Sequence, residues 1–344
     1  MAKKKKKKGQ RKSSSSKKAS SARKTGPKPV SGQTSLRGAP DGPKLKRTMP
    51  GASPLPGARS IEAEMAKMGR YLEGKDFESI DKVQKYINSL IEDGSIAEIA
   101  PTTPAEQAQE LIYNAWESID EERVELAMNA LEVYPDCADA YVILAQESES
   151  PMESYSFFRE GVEAGERALG PGYFEEDVGH FWGILETRPY MRARFGLARF
   201  LWELGKQGKA VEHLEYMLRL NPGDNQGVRY ILASWYVMMD RDEDLWKLLD
   251  SYGDEPTACW AYTKALASFR KEGDTKASTE LLMEAIETNP HVPAYFLGES
   301  ELPDEPPYSI GFGDETEAID YAMEFLLCWY LTDGALEWLE RYSR

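Results

Sequence analysis

The chain has 344 residues, 41% of them hydrophobic, and its 58 Asp and Glu outnumber its 42 Lys and Arg. This length and composition predict a soluble protein with a substantial buried core. No apolar run approaches the twenty or so residues of a membrane helix, and no apolar segment follows the basic N-terminus, so we expect neither a membrane span nor a secretory signal.

The first segment, residues 1–59, is rich in Lys, Ser and Pro and almost lacks aliphatic residues. Residues 1–60 hold 18 of the 42 basic residues but one of the 58 acidic ones, so a basic tail precedes an acidic body. Such a segment buries too little apolar surface to fold, and we predict that it is disordered. Two interpretations of its lysine run remain: a solvated arm that folds loosely against the acidic body, or weak non-specific contact with nucleic acid, the ribosome or another anionic surface.

Residues 60–100 predict an N-terminal helical segment. Ser60 is a candidate N-cap, and Glu62 and Glu64 place negative charge in the first turn, where the helix dipole favours it. A second stretch, residues 80–90, carries apolar residues at helical intervals. No segment of the chain shows a clear strand pattern.

A repeat dominates the centre of the chain. Pro222, Pro256 and Pro290 are spaced 34 residues apart, the period of tetratricopeptide helix pairs, and two of them, Pro222 and Pro290, follow Asn after an apolar helical run. They define three repeats over residues 191–292. Two further hairpins are predicted over residues 101–170, with an insertion at residues 171–190, which gives five hairpins in all.

The C-terminal part, residues 293–344, predicts a Pro- and Gly-rich loop followed by capping helices. Asp314 and Glu317 start a helix that carries an apolar stripe, and a short last helix follows Gly334. Without such a cap, the final hairpin would expose its apolar face. The stripe consists of Ala318, Ala322, Phe325 and Trp329.

The best repeat unit reads PYMRARFGLARFLWELGKQGKAVEHLEYMLRLNP, with small Ala198 and Ala210 and large Leu197 and Leu214 at helix-packing positions. Residues 104–292 resemble the tetratricopeptide superfamily. The block HFWGILETRPYMRARFGLARFLWELG, with LRLNPGDNQG, is similar to the suppressor-of-tumorigenicity-seven family and its bacterial relatives. The resemblance implies an all-α solenoid of helical hairpins that acts as a scaffold without an established reaction. The superfamily's carboxylate clamp for chaperone tails is not reproduced, since Phe195 stands where a polar residue is required.

The first helices of the repeats predict a binding surface. In stacked hairpins these helices line the concave side, and their positions outside the packing are mainly basic or aromatic here. Arginine grips carboxylates and aromatic rings add apolar contact, so we predict that this groove binds an acidic or carboxylate-bearing peptide or protein. In the alternative interpretation, the arginines neutralise Glu and Asp of the second helices. The candidate residues are Arg192, Arg199, Trp202, Arg229, Tyr236, Trp260, Lys264 and Arg270.

Motifs for catalysis, metals or cofactors are missing from the sequence. The chain has no phosphate-binding Gly-rich loop and no metalloprotease motif, so we predict no cofactor, no metal and no enzymatic activity. Its three cysteines stand far apart, which predicts reduced thiols and a cytoplasmic protein, with the nucleus as an alternative if the source is eukaryotic. One local cluster remains open: His180, Glu186 and Arg188 could form an anionic-ligand or catalytic site. Alternatively, the apolar residues around them plug the joint between the two halves of the solenoid.

Overall fold

Every regular element in the part of the chain that the structure describes is helical. The computed structural model describes residues 58–344 except 73, 93–99 and 254. The all-α prediction is therefore confirmed for this part. The predicted disordered tail, residues 1–59, lies outside the described residues except for its last two, whose backbone begins the first helix.

Most helices of the described residues form consecutive pairs. In chain order they are α1 (Ala58–Leu72), α2 (Ile80–Glu92), α3 (Pro104–Glu117), α4 (Asp120–Val133), α5 (Ala138–Glu147), α6 (Pro151–Glu176), α7 (Arg188–Glu203), α8 (Gln207–Leu220), α9 (Val228–Met238), α10 (Asp242–Ser251), α11 (Ala258–Glu272), α12 (Lys276–Thr288), α13 (Val292–Phe296), α14 (Glu315–Leu331) and α15 (Ala335–Ser343). From α3 to α12, each odd-numbered helix packs against the helix that follows it, which gives five hairpins.

Local sequence signals set the ends of these helices. At the start of α3, Thr103 and Glu106 form a capping box: Glu106 N donates to Thr103 Oγ1 at 3.2 Å, and Thr103 N donates to Glu106 Oε2 at 2.9 Å. The repeat prolines lie beyond the second helices, with Pro222 after α8 and Pro290 after α12. Since proline cannot donate the next helical hydrogen bond, the chain turns there into the following hairpin.

The core follows the repeat pattern of small and large residues. Ala210 and Leu214 of α8 are fully buried, as are their equivalents Ser278 and Leu282 of α12. Gly196 of α7 shows how close the helices approach, because a Cβ atom at this position would overlap the ring of Phe158 on α6. Truncation of a leucine in such an interface to alanine typically costs about 2–5 kcal/mol.

The insertion between the second and third hairpins is partly helical. Residues 171–176 continue α6 beyond Gly170, whose φ of 67° interrupts the helix and marks a kink. Two 3₁₀ turns, Phe181–Gly183 and Leu185–Thr187, then lead into α7. Phe181 is fully buried and its ring centroid lies 5.3 Å from that of Phe174. The insertion thus fills the joint with aromatic side chains, as the second interpretation of this segment expects.

The C-terminal helices pack against the end of the last repeat and also against the first helices of two repeats. α15 packs against α12, in the capping position. α14 packs in addition against α9 and α11, the first helices of the last two hairpins. The predicted apolar stripe of α14 is correct, since all four of its members, Ala318, Ala322, Phe325 and Trp329, are fully buried.

Among the described helices, none combines the length and apolar character needed to cross a membrane.

Candidate functional site

One face of α7 carries three arginines and two aromatic residues. Its members lie three or four residues apart, which places them on one side of an α-helix. We call them the α7 stripe: Arg188, Arg192, Phe195, Arg199 and Trp202. Two of the three arginines in the stripe, Arg192 and Arg199, are among the residues predicted from the sequence.

Arg192 lies at the centre of a buried ion-pair network. Its Nε donates to Asp139 Oδ1 of α5 at 2.7 Å, and its Nη1 and Nη2 each donate to Glu62 of α1 at 3.0 Å. Arg188 joins the same carboxylate, with 3.2 Å between its Nη1 and Glu62 Oε2. Asp139 is fully buried, and the side chains of Glu62 and Arg192 are nearly so. The guanidinium also lies 4.9 Å from the ring centroid of Trp116.

This network fixes the charge on Arg192. Burial alone would lower the pKa of its guanidinium, but the charges and hydrogen bonds of Asp139 and Glu62 outweigh burial and raise the pKa above its ordinary value. Arg192 therefore stays charged at any pH at which the protein is folded, and it joins α1, α5 and α7.

Two turns further along α7, Arg199 meets a carboxylate from α14. Its Nη1 lies 3.6 Å from Glu324 Oε2, and Glu324 Oε1 accepts a hydrogen bond from Ser234 Oγ of α9 at 2.5 Å. Burial raises the pKa of Glu324, although Arg199 and Ser234 oppose this effect. The carboxylate of Glu324 thus touches the first helices of two successive hairpins.

Aromatic contacts hold α14 against α11, the first helix of the last hairpin. The ring of Tyr262 on α11 lies 5.7 Å from Tyr321 and 6.3 Å from Trp329, both on α14. At the far end of the α7 stripe, Trp202 stacks on Trp235 of α9 with 4.3 Å between ring centroids. α14 therefore lies along the surface that the sequence predicted as a binding groove.

Arg229 forms a second network, centred on α9. It binds Asp224 at 3.0 Å and Glu255 at 2.7 Å, and its guanidinium lies 4.3 Å from the ring centroid of Tyr230. The ring of Trp260, which is fully buried, also lies near Arg229, with 5.9 Å between its centroid and the guanidinium. Two of the predicted residues, Arg229 and Trp260, are thus brought together by internal packing.

The remaining predicted residues lie apart from these networks. Tyr236 is buried and donates to Glu215 Oε1 at 2.8 Å. Lys264 donates to the backbone oxygen of Gly253 at 2.9 Å. Arg270 pairs with Asp240 and Asp242, both at 2.8 Å. The eight predicted residues therefore do not form one continuous free surface.

All four predicted arginines have carboxylate partners within the described chain. This agrees with the interpretation that they neutralise internal charge, but the partners differ from those expected. Of the pairing residues, Asp242 begins a second helix, whereas Glu62, Asp139 and Glu324 come from α1, α5 and α14. Tyr236 and Trp260, being buried, can act through packing alone unless the hairpins move. The prediction that the eight residues bind a partner stays a prediction.

Glu62, Asp139 and Glu324 are the partners of the α7 stripe that sequence reasoning missed. Asp139 was the most visible, since it is the one charged residue of the otherwise apolar run ADAYVILA. An isolated charge on a buried helix signals a buried partner, but its identity depends on which helices meet in space.

The three residues of the cluster around His180 lie in different environments. His180 and Glu186 are exposed, whereas Arg188 is committed to Glu62 and stacks its guanidinium over the ring of Trp182. No group of three or more His, Cys, Asp or Glu side chains within the described ranges could hold a metal ion. Burial raises the pKa of the Cys137 and Cys328 thiols to about 12, so both are neutral and weakly reactive at pH 7.

Paired antiparallel helices, a 34-residue period and prolines after the second helices define an α-helical repeat protein of the tetratricopeptide type. No protein-family model matches the chain. Its similar relatives include the chicken suppressor of tumorigenicity 7 protein-like, 26% identical over 253 residues, and the Caenorhabditis elegans protein ST7 homolog, 28% identical over 272 residues. The alignments cover 67% of this chain and 45% and 49% of those relatives, so the chain spans about half their length.

Among solved structures, the chain is similar to YrrB, described as a TPR protein with an unusual peptide-binding site. The sequences are 15% identical, the superposition covers 59% of this chain and 91% of that one, and the TM-score is 0.37.

Proposed function

We propose that this protein is a non-catalytic interaction scaffold. It binds an acidic helical segment of a partner protein on the surface formed by the first helices of its hairpins. One observation carries the proposal: the α7 stripe already binds carboxylates from two separate helices, Glu62 of α1 and Glu324 of α14. The surface is thus chemically suited to acidic helices, because guanidinium groups bind carboxylates with both charge and directed hydrogen bonds.

The two contacts differ in how readily a partner could replace them. Glu62 makes hydrogen bonds of 3.0 Å to Arg192 inside a buried network. Glu324 lies 3.6 Å from Arg199, beyond a good hydrogen bond, and a quarter of its side chain is exposed. The Arg199 end of the stripe is therefore where we propose that the partner's carboxylate binds, next to half-buried Trp202.

Two substitutions at this ion pair should change partner affinity in opposite directions. Glu324→Gln removes the internal carboxylate and leaves Arg199 charged, so we expect tighter binding; Arg199→Gln removes the cation, and we expect weaker binding. Affinity purification from the native organism with mass spectrometry would identify the partner, and calorimetry with the purified partner would give the dissociation constants.

Lys276→Gln is the matched control, since Lys276 lies on α12 with 90% of its side chain exposed. Circular dichroism would establish that each variant is folded. Equal affinities for the wild type, Arg199→Gln and Glu324→Gln would rule out this surface as the binding site.

A further inference from the structure

A cavity of 720 Å³ lies between α1, α3, the end of α6 and the start of α7. This volume is within the range of small-molecule sites, roughly 300–1,000 Å³. Most of its wall is apolar or aromatic, and it includes four tyrosines: Tyr113, Tyr134, Tyr173 and Tyr190. Of the residues on which the scaffold proposal depends, Glu62 alone lines this cavity.

Small residues on three helices keep the space open. Ala66 and Gly69 of α1, Ala105 of α3 and Ala168 of α6 all line it. A Cβ atom added at Gly69 would meet no other atom within 4 Å. The small side chains therefore leave a space between these helices.

Arg70 of α1 is the cation among the residues that line this cavity, and its hydrogen bonding is incomplete. Its side chain is 7% exposed, yet its Nε has no acceptor among the described residues. The carboxylate that pairs with it, Glu110 Oε2, lies 3.7 Å from Nη2, too far for a hydrogen bond. Nε and Nη2 form the edge of a guanidinium that a carboxylate binds with two parallel hydrogen bonds, and an unfilled buried donor is costly.

The acidic residues of the wall do not fill this edge, because most already have partners. Glu62 binds the α7 arginines, Glu106 caps α3, and Asp136 pairs with Arg167 at 2.8 Å. Glu186, the fourth acid, is exposed. A ligand that brings its own carboxylate would complete the hydrogen bonding of Arg70.

We propose that this cavity binds a small monocarboxylate with an apolar or aromatic body. The carboxylate pairs side-on with Arg70, and the body lies against the tyrosines and alanines of the wall. This site is separate from the Arg199 end of the α7 stripe, so it does not depend on the scaffold function.

The probe pair 4-phenylbutyrate and 4-phenylbutan-1-ol tests the proposal, because the two compounds share a body and differ in charge. We expect the full-length protein to bind the acid at least about tenfold more tightly than the alcohol, as measured by calorimetry. In Arg70→Gln, the acid should lose this advantage, while affinity for the alcohol should stay the same. Arg70→Lys keeps the charge without the planar pair of donors, so it should show an intermediate loss.

Ala66→Leu should fill part of the cavity and weaken the binding of both compounds, and Gly69→Ala, which adds one methyl group in open space, is its control. Thermal unfolding would show that the variants are folded. Failure of the wild type to bind the acid saturably, or an acid affinity that survives Arg70→Gln, would overturn the proposal. If Arg70→Gln does not fold, undiminished binding by Ala66→Leu would overturn it instead.

Discussion

Arg192 binds carboxylates from two other helices, Asp139 of α5 and Glu62 of α1. Each of these buried charges is stabilised by the opposite charge beside it. Removal of one partner from a buried ion network leaves the others without compensation, which typically costs about 3–5 kcal/mol. Exposed ion pairs contribute far less, about 0–1 kcal/mol, because water screens them and their side chains lose entropy. The chain contains both kinds of pair with similar geometry.

We therefore expect Arg192→Met to lower the free energy of unfolding by about 3–5 kcal/mol, since it leaves Asp139 without its cation and Glu62 with Arg188 alone. Arg167→Met is the matched control. Arg167 pairs with Asp136 at 2.8 Å, but half of its side chain is exposed, and we expect a loss below about 1 kcal/mol. Urea denaturation at pH 7 would measure both losses. Similar losses would mean that burial does not govern these pairs.

His213 of α8 makes the stability depend on pH. Burial, with the nearby charges of Arg194 and Lys209, lowers the pKa of His213 to about 4. In the unfolded chain the pKa is about 6.5, so the unfolded state binds the proton first as the pH falls. The stability that neutral His213 contributes is complete above about pH 6.5 and is lost as the pH falls towards 4.

We expect the difference in free energy of unfolding between His213→Leu and the wild type to shift by about 2 kcal/mol in favour of the variant when the pH is lowered from 7 to 4.5. This value discounts the full shift because the side chain is only partly buried. Urea denaturation of both proteins at the two pH values isolates the histidine, since the other titrating groups are common to both. A constant difference between the two proteins would show that folding leaves the pKa of His213 unchanged.

At the scale of elements, the position of α14 depends on both aromatic packing and charge. Tyr321 and Trp329 pack against Tyr262 of α11, and Glu324 lies near Arg199. Arg199→Glu would place two carboxylates together, and like charges at this distance repel. The aromatic contacts would stay, so we expect local opening of α14 and not unfolding of the repeats.

Hydrogen–deuterium exchange would measure this opening. In Arg199→Glu we expect backbone amides of residues 315–331 to exchange several-fold faster, while those of α8 stay unchanged. Arg199→Gln is the control, because Glu324 keeps its hydrogen bond to Ser234 and meets no new charge. Unchanged exchange in Arg199→Glu would show that aromatic packing alone holds α14.

These elements also show what the sequence can reveal. The prolines at 34-residue intervals and the stripe from Ala318 to Trp329 follow local rules, so helices and hairpins were predictable. The ion pairs were not, because Arg192 meets Asp139 and Glu62 across 53 and 130 residues of sequence. A pattern along one helix identifies a charged face, but tertiary packing decides which carboxylate reaches it.

At the scale of the whole molecule, charge is divided unevenly along the chain, and this division leads to one more prediction. The Lys3 to Lys8 run lies in a segment with one acidic residue, whereas the rest of the chain is strongly acidic. If the run contacts nucleic acid, each lysine that neutralises a phosphate releases a counterion, and affinity falls with salt. If it remains a solvated arm, salt has no binding to weaken.

We expect the full-length protein to bind a 20-nucleotide single-stranded RNA weakly, with a log–log salt slope that decreases in magnitude by up to about 4 when the six lysines are replaced by Gln. Fluorescence anisotropy between 25 and about 200 mM salt covers the range in which this effect is large. The control is Lys247→Gln with Lys276→Gln, since 73% and 90% of these side chains are exposed on the helical body. Binding that is equal in the two variants would assign any RNA affinity to the body, and the lysine run would then be a solvated arm.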